Sequence, residues 1–229
     1  MLPLRKLKRL MKITIIGGHG KVALLTTELL SARGDTVTSI IRNPNQVPEI
    51  ESAGANALVL NVESASTDEL AAAFNGSDAI VWSAGAGGGN PERTYAVDRD
   101  AAIRSMDAAR KAGVKRYVMV SFATADPKFL VAEQDSFFPY MDAKIAADEY
   151  LRASNLEYTI LGPGLLTLAA PSGLLNPLPD PTAGAAASQT SRGNVALSIV
   201  ATLDQGATIG RTINFCDGEI PVAEAILMR

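Results

Sequence analysis

Ile13-Thr-Ile-Ile-Gly-Gly-His-Gly-Lys-Val-Ala23 places a glycine-rich turn between an apolar run and a pattern with helical spacing. Residues 12–16 are rich in β-branched side chains, as suits a buried parallel strand, and Val22, Leu25, Leu29 and Leu30 recur at helical intervals. The turn therefore joins a strand to a helix. Gly17 and Gly20 can take backbone angles closed to other residues and let a pyrophosphate approach the main chain, where free N–H groups and the helix dipole favour an anion. Ala23 stands where close packing of helix on strand needs a small side chain. The stretch reads as a dinucleotide-binding turn in which Gly17, Gly18, His19, Gly20, Lys21 and Val22 are the expected contacts. A bare glycine motif also occurs in ordinary tight turns; the strand before it and the helix after it give it weight. His19 and Lys21 either touch phosphate or face water.

Outward from this turn the same alternation continues. Gly34-Asp35 ends the first helix, and Thr36-Val-Thr-Ser-Ile-Ile41 supplies a second strand, which completes a βαβ unit. Residues 57–60 and 79–82 repeat the short apolar strand pattern, with a helix over 67–74 between them whose N-cap is Ser66 or Thr67. A long helix from about 92 to 112 follows, then a strand at 117–121, a helix at 140–153 and a strand at 158–161. Alternation of this kind predicts an α/β chain of Rossmann type, a doubly wound parallel sheet in three α/β/α layers. From 162 to 187 prolines, glycines and leucines dominate and periodicity disappears, before a short helix at 193–203 and a strand at 212–215. Substrate-pocket elements are expected around 122–139 and 162–190, inside a single domain spanning 12–229.

Composition narrows the function classes. The chain has 229 residues, 47% of them hydrophobic, enough for one substantial core. One histidine, His19, leaves no room for a multi-histidine metal site or for a Ser-His-Asp triad built elsewhere, and no metal is expected. The single cysteine, Cys216, rules out an internal disulfide and fits a reducing, cytoplasmic compartment. Arg5, Lys6, Lys8 and Arg9 make residues 1–11 a basic tail, expected to be disordered, with Met11 as an alternative start. Without those four cations the net charge drops from −3 to −7, unlike a nucleic-acid binder. No run of about 18 apolar residues exists to span a membrane. The expected partner is a small-molecule substrate, and the chain is expected to be a monomer or a homodimer.

In doubly wound sheets ligands bind beyond the carboxyl ends of the strands, so the residues that follow each strand carry the function. Arg42 follows the second strand. A carboxylate there would accept both ribose hydroxyls of NAD, whereas a guanidinium suits a 2′-phosphate, which favours NADP(H) over NAD(H); the alternative is a solvated surface arginine. Asn61 and Val62 follow the third strand and are further expected cofactor contacts. Ser83-Ala-Gly-Ala-Gly-Gly-Gly89 follows the fourth, and the small side chains of Ala84 and Gly85 would let backbone pass close to the cofactor ribose. Tyr140-Met-Asp-Ala-Lys144 puts a phenol and an ammonium on one helical face. A lysine cation and a positive nicotinamide would favour phenolate, making Tyr140 a usable proton donor and acceptor near neutrality.

With the glycine turn, Arg42, the strand at 117–121 and Tyr140-x-x-x-Lys144 in this order, the chain resembles the short-chain dehydrogenase/reductase superfamily, and more narrowly its small atypical, NmrA-like NAD(P)H-binding branch. Ala147-Asp-Glu-Tyr-Leu-Arg-Ala-Ser-Asn-Leu-Glu-Tyr-Thr-Ile160 and Asp217-Gly-Glu-Ile-Pro-Val-Ala-Glu-Ala225 are similar to segments of that branch. The resemblance implies NADP binding at Gly17, Gly20 and Arg42, ribose binding by Lys144 and proton transfer by Tyr140 and Lys144. It also implies a substrate-orienting hydroxyl just after the fifth strand, where Ser121 and Thr124 are the available residues. Two departures stand out: the branch's Arg-Pro-Gly is here Gly162-Pro-Gly164, and Asn61 replaces a frequent aspartate.

Two functions follow as expectations. One is an oxidoreductase in which NADPH supplies hydride to an apolar carbonyl, quinone or flavin-type acceptor beneath a roof of Phe122, Phe129, Phe137, Phe138, Leu165, Leu166 and Leu168. The other is a non-catalytic NADP(H)-sensing regulator, to which the missing arginine points.

Overall fold

The computed structural model describes residues 10–87, 90–178 and 188–228. The basic tail up to residue 9, Gly88 and Gly89 of the glycine loop, and residues 179–187 of the expected pocket segment lie outside the described residues. The expected βαβ unit is β1 (Lys12–Ile16), α1 (Lys21–Arg33) and β2 (Thr36–Ile41). There follow α2 (Val47–Ser52), β3 (Asn56–Val59), α3 (Thr67–Phe74), β4 (Ala79–Trp82), α4 (Pro91–Thr94), a π-helical segment (Tyr95–Ala101), α5 (Ala102–Lys111), β5 (Arg116–Val120), α6 (Phe138–Ala153) and β6 (Glu157–Pro163). The chain continues through β7 (Leu165–Thr167), β8 (Leu174–Pro177), β9 (Gln189–Ser191), α7 (Arg192–Asp204), β10 (Arg211–Asp217), β11 (Ile220–Pro221) and α8 (Val222–Ala225).

Among the described residues the main sheet has nine strands, in the order β11-β8-β10-β6-β5-β4-β1-β2-β3. The seven from β3 to β10 run parallel, and β8 turns antiparallel to both β10 and β11. The strand order reverses between β2 and β4 on either side of β1, which opens a crevice at the carboxyl end of the sheet where ligands of such folds bind. Apolar side chains fill both faces. On one, Ile13, Val22, Leu30, Val195, Ile199 and Phe215 join β1 and β10 to α1 and α7; on the other, Ile16, Phe74, Trp82, Met106, Tyr117 and Leu151 sit beneath α3, α5 and α6.

Four expectations need correction. Leu25 is exposed, and the face α1 buries is Val22, Ala23, Thr26, Thr27 and Leu30, because small and hydroxyl side chains pack closely against α7. The helix expected over 92–112 begins at Pro91, capped by the Asn90 carboxamide, and widens into a π turn at 95–101. Residues 162–187, read as lacking periodicity, contain among the described residues β7 and β8, both too short to show an alternation. Met11 belongs to the fold rather than the tail: its N–H donates to Asp35 Oδ1 at 2.8 Å, its carbonyl accepts from Thr36, and its side chain packs on the core.

Candidate functional site

The glycine turn is built by a backbone hydrogen bond from Gly20 N–H to the Gly17 carbonyl at 2.8 Å, and Gly18 N–H ties it to the Ile40 carbonyl of β2. Gly17 has φ +79°, and a Cβ there would lie 2.6 Å from the Ala84 backbone, so both conformation and space require glycine. Gly20 does not share the first property. Its φ is −65°, contrary to the sequence expectation, and it keeps the turn open because a Cβ would sit 3.1 Å from the Gly17 carbonyl. No side chain caps α1, so its first-turn amides are directed into the crevice with the dipole behind them, as a pyrophosphate requires. His19 is held aside: Gln46 Nε2 donates to its Nδ1 at 2.9 Å, and its Nε2 donates to Glu49 at 2.6 Å.

On one side of this turn is a cavity of about 250 Å³ lined by Gly17, His19, Arg42, Asn61, Val62 and Glu63 among others. Arg42 is largely exposed and its Nη1 lies 3.8 Å from Glu63 Oε2. The same oxygen is reached at 3.3 Å by Arg93 Nε. Asn61 shapes the loop, its Oδ1 accepting from Glu63 N–H at 3.2 Å and its carbonyl from Ala65 N–H at 2.9 Å. Arg104 secures that loop by donating to the Val62 and Glu63 carbonyls at 3.0 and 2.9 Å.

On the other side is a cavity of about 910 Å³ whose wall includes Gly20, Lys21, Val22, Ala84, Gly85, Asp98, Ser121, Tyr140 and Lys144. The two share Gly20, Ser83, Ala84 and Gly85, so they form one trough running past the glycine turn. Tyr140 and Lys144 come to the same wall, as their spacing predicts. Lys144 is buried, however, and its Nζ donates to the Val120 carbonyl at 2.8 Å. Tyr140 packs between Phe122 and Phe137, with ring centroids 5.3 and 5.2 Å away. Its hydroxyl is pushed well above the ordinary tyrosine value, first by burial and then by the charges of Asp98 and Asp148. Without a nucleotide beside it, its surroundings hold the group as a neutral phenol, a proton donor.

Two buried carboxylates surround this machinery, and sequence reading gave neither a role. Asp98, brought inward by the π segment, accepts from Ala86 N–H at 3.0 Å. Asp148 accepts from Ser121 Oγ at 2.6 Å, and its Oδ1 has no partner among the described residues. Burial raises both carboxyl pKa values, and the Lys144 ammonium opposes the rise. Ser121 reaches the cavity with its proton committed to Asp148, and Thr124 is absent from the wall. The glycine at 162 is also explained. A Cβ there would lie 2.1 Å from Asn214 Oδ1, so the β10 carboxamide fills the space an arginine side chain would need.

Of the expected roof only Phe137 and Leu166 line the cavity. Phe122 supports Tyr140, Phe129 packs near Met141 and Ile145, Phe138 is absent from the wall, and Leu165 and Leu168 are exposed. Glu133, Asp135 and Arg192 make the wall more polar than expected. No simple spacing relates these residues, which come from a loop and from the start of α7. Among the described residues no cluster of three or more His, Cys, Asp or Glu could hold a metal ion, and no helix is long and apolar enough to cross a membrane.

Comparison with known proteins agrees with the geometry of the turn. Residues 17–206 match the model of a family described as NAD(P)H-binding. The chain belongs to this NAD(P)H-binding family. It is 35% identical over 218 residues to "Uncharacterized sugar epimerase YhfK" of Bacillus subtilis, covering 94% of this chain and 99% of that protein. It is 37% identical over 221 residues to "UPF0659 protein YMR090W" of Saccharomyces cerevisiae, covering 94% and 97%. A solved structure described as a putative NAD-dependent epimerase/dehydratase from Bacillus halodurans superposes with a TM-score of 0.85 at 31% identity, covering 94% of this chain and 98% of that one. These likenesses bear out the resemblance to atypical short-chain dehydrogenase/reductases. They place this NAD(P)H-binding family member among proteins of oxidoreductase and epimerase type.

Proposed function

We propose that the protein is an NADP(H)-preferring oxidoreductase that reduces a carbonyl, quinone or flavin-type acceptor in the larger cavity. The observation that carries this reading is the continuous trough from Arg42, past the uncapped end of α1, to Tyr140 and Lys144. The uncapped α1 amides and the glycine-lined floor suit the pyrophosphate, and Ala84 and Gly85 leave room for a ribose. When bound, the nicotinamide supplies hydride. Arg42 provides a cation for the 2′-phosphate. Lys144, fixed by the Val120 carbonyl, presents its remaining N–H donors to the ribose. Tyr140, kept neutral by its surroundings, donates its proton to the oxygen on which charge develops, which suits reduction better than oxidation.

Titration of cofactor-free protein with NADPH and NADH, followed by nucleotide fluorescence, tests the reading. NADPH binding at least tenfold tighter than NADH, reduced to near parity by Arg42→Ala, is expected. Binding of neither nucleotide would exclude it.

A regulatory NADP(H)-sensing protein of NmrA type is favoured by one specific observation. The Ser121 proton and the Lys144 ammonium are already engaged by Asp148 and Val120. Tight nucleotide binding with no turnover across a quinone, enone and flavin panel would select that second reading.

A further inference from the structure

Glu63 and Arg93, in the wall of the smaller cavity beside Arg42, are unused by the reading above. Glu63 has one carboxylate oxygen, Oε2, facing two guanidinium groups, Arg42 at 3.8 Å and Arg93 at 3.3 Å. Among the described residues its other oxygen, Oε1, carries no hydrogen bond. All three residues line the same cavity, together with Asn61 and Val62. The carboxylate is placed by a fixed loop, because Arg104 holds the Val62 and Glu63 carbonyls and the Asn61 side chain holds Glu63 N–H. Arg93 is anchored as well, with its Nη1 donating to the Ala86 carbonyl.

Two guanidinium groups around one position make a strong receptor for a phosphate, since each offers a planar fork of donors. Here a resident carboxylate already faces both. An incoming 2′-phosphate must displace this anion or sit beside it and meet like-charge repulsion. A ribose 2′-hydroxyl meets no such penalty and finds an acceptor in Oε1.

We infer that Glu63 is a specificity-determining residue that lowers discrimination between NADP(H) and NAD(H), and that Arg93 is a second cation of the 2′-phosphate site. The inference rests on the nicotinamide-nucleotide reading given above. Glu63 acts as a built-in competitor for the two guanidinium groups. Its removal strengthens phosphate binding and weakens hydroxyl binding.

Glu63→Gln keeps the size of the side chain and removes its charge. Dissociation constants for NADPH and NADH, measured by fluorescence on cofactor-free protein, are expected to show the NADPH preference rising about fivefold. Adenosine 2′,5′-bisphosphate and AMP serve as probes without the nicotinamide half, and only the bisphosphate should bind more tightly to the variant. In Arg93→Gln the bisphosphate should weaken while AMP is unchanged. Matching thermal melts would confirm that both variants are folded. A preference in Glu63→Gln that rises less than twofold, or falls, overturns the role of Glu63. Equal effects of Arg93→Gln on bisphosphate and AMP overturn that of Arg93. If the natural chain binds no nucleotide at all, the proposed function fails instead, so the two failures are separable.

Discussion

At the scale of single residues, Tyr140 is the sharpest test of catalysis. With its phenol held neutral by burial and by Asp98 and Asp148, it can give a proton and cannot readily accept one. Tyr140→Phe is expected to lower reductive turnover at least tenfold while leaving the NADPH dissociation constant unchanged. Because the protonated phenol is the active form, the Tyr140-dependent part of the rate should stay flat between pH 6 and 9 and fall only in stronger alkali. A rate that rises through neutrality with loss of one proton would instead assign Tyr140 as a base. Asp148 yields a prediction of another kind. Its folded-state pKa is raised above the ordinary 3.8, so between those two values the folded protein keeps a proton that the unfolded chain has released. Stability contributed by this group is therefore present in acid and lost as pH rises through that window. Asp148→Asn, which keeps an acceptor for Ser121, removes the loss. Its melting temperature relative to the natural chain should increase as the pH rises above the ordinary carboxylate value, and a constant difference would show that Asp148 is not the titrating group. The sequence made Tyr140 and Lys144 visible through their spacing. It hid Asp98 and Asp148, because a carboxylate becomes unusual only once neighbouring elements have removed its water.

At the scale of elements, legibility followed the strength of the local signal. Ser66 and Glu69 form a reciprocal capping box at the start of α3: Glu69 N–H donates to Ser66 Oγ at 3.2 Å, and Ser66 N–H donates to Glu69 Oε2 at 2.8 Å. Ser66 was one of two caps the sequence offered, and the structure selects it. Ser66→Ala is expected to cost about 1 kcal/mol, read as a lower urea midpoint with an unchanged slope. An effect below about 0.3 kcal/mol would mean that α3 is held by Leu70, Ala71 and Phe74 alone, the core contacts it makes regardless of its cap. The π segment at 95–101 left no comparable mark in the sequence, since no residue type encodes a wider turn; it exists where packing and the Asp98 bond to Ala86 outweigh the regular ladder. Short strands such as β7 and β9 were hidden for a related reason. Three residues pair with each other through the register of distant chain segments, and three residues carry no period.

For the whole molecule, the parallel alternation was legible because buried strands such as β4 are short apolar runs flanked by turn residues, and the order around β1 follows from right-handed crossovers. The antiparallel margin formed by β8 and β11 was not, since both are brief and both end in proline, Pro177 and Pro221. The residues proposed to hold the nucleotide stood out in the sequence for the same reason as the fold: they lie in the loops that directly follow strands. The substrate half did not, because Glu133, Asp135 and Arg192 are gathered from segments far apart in the chain.

The two faces of the sheet differ in when they can be finished. Every described core residue beneath α3, α5 and α6 lies between Ile16 and Ile160, so that layer can close before residues 161–229 are made. The layer over α1 needs Val195, Ile199, Phe215, Val222 and Ile226 to close on Ile13 and Val22. On a ribosome, then, α1 is covered long after it is made, and the apolar side of the glycine turn waits, open to water, until Val222 and Ile226 have emerged.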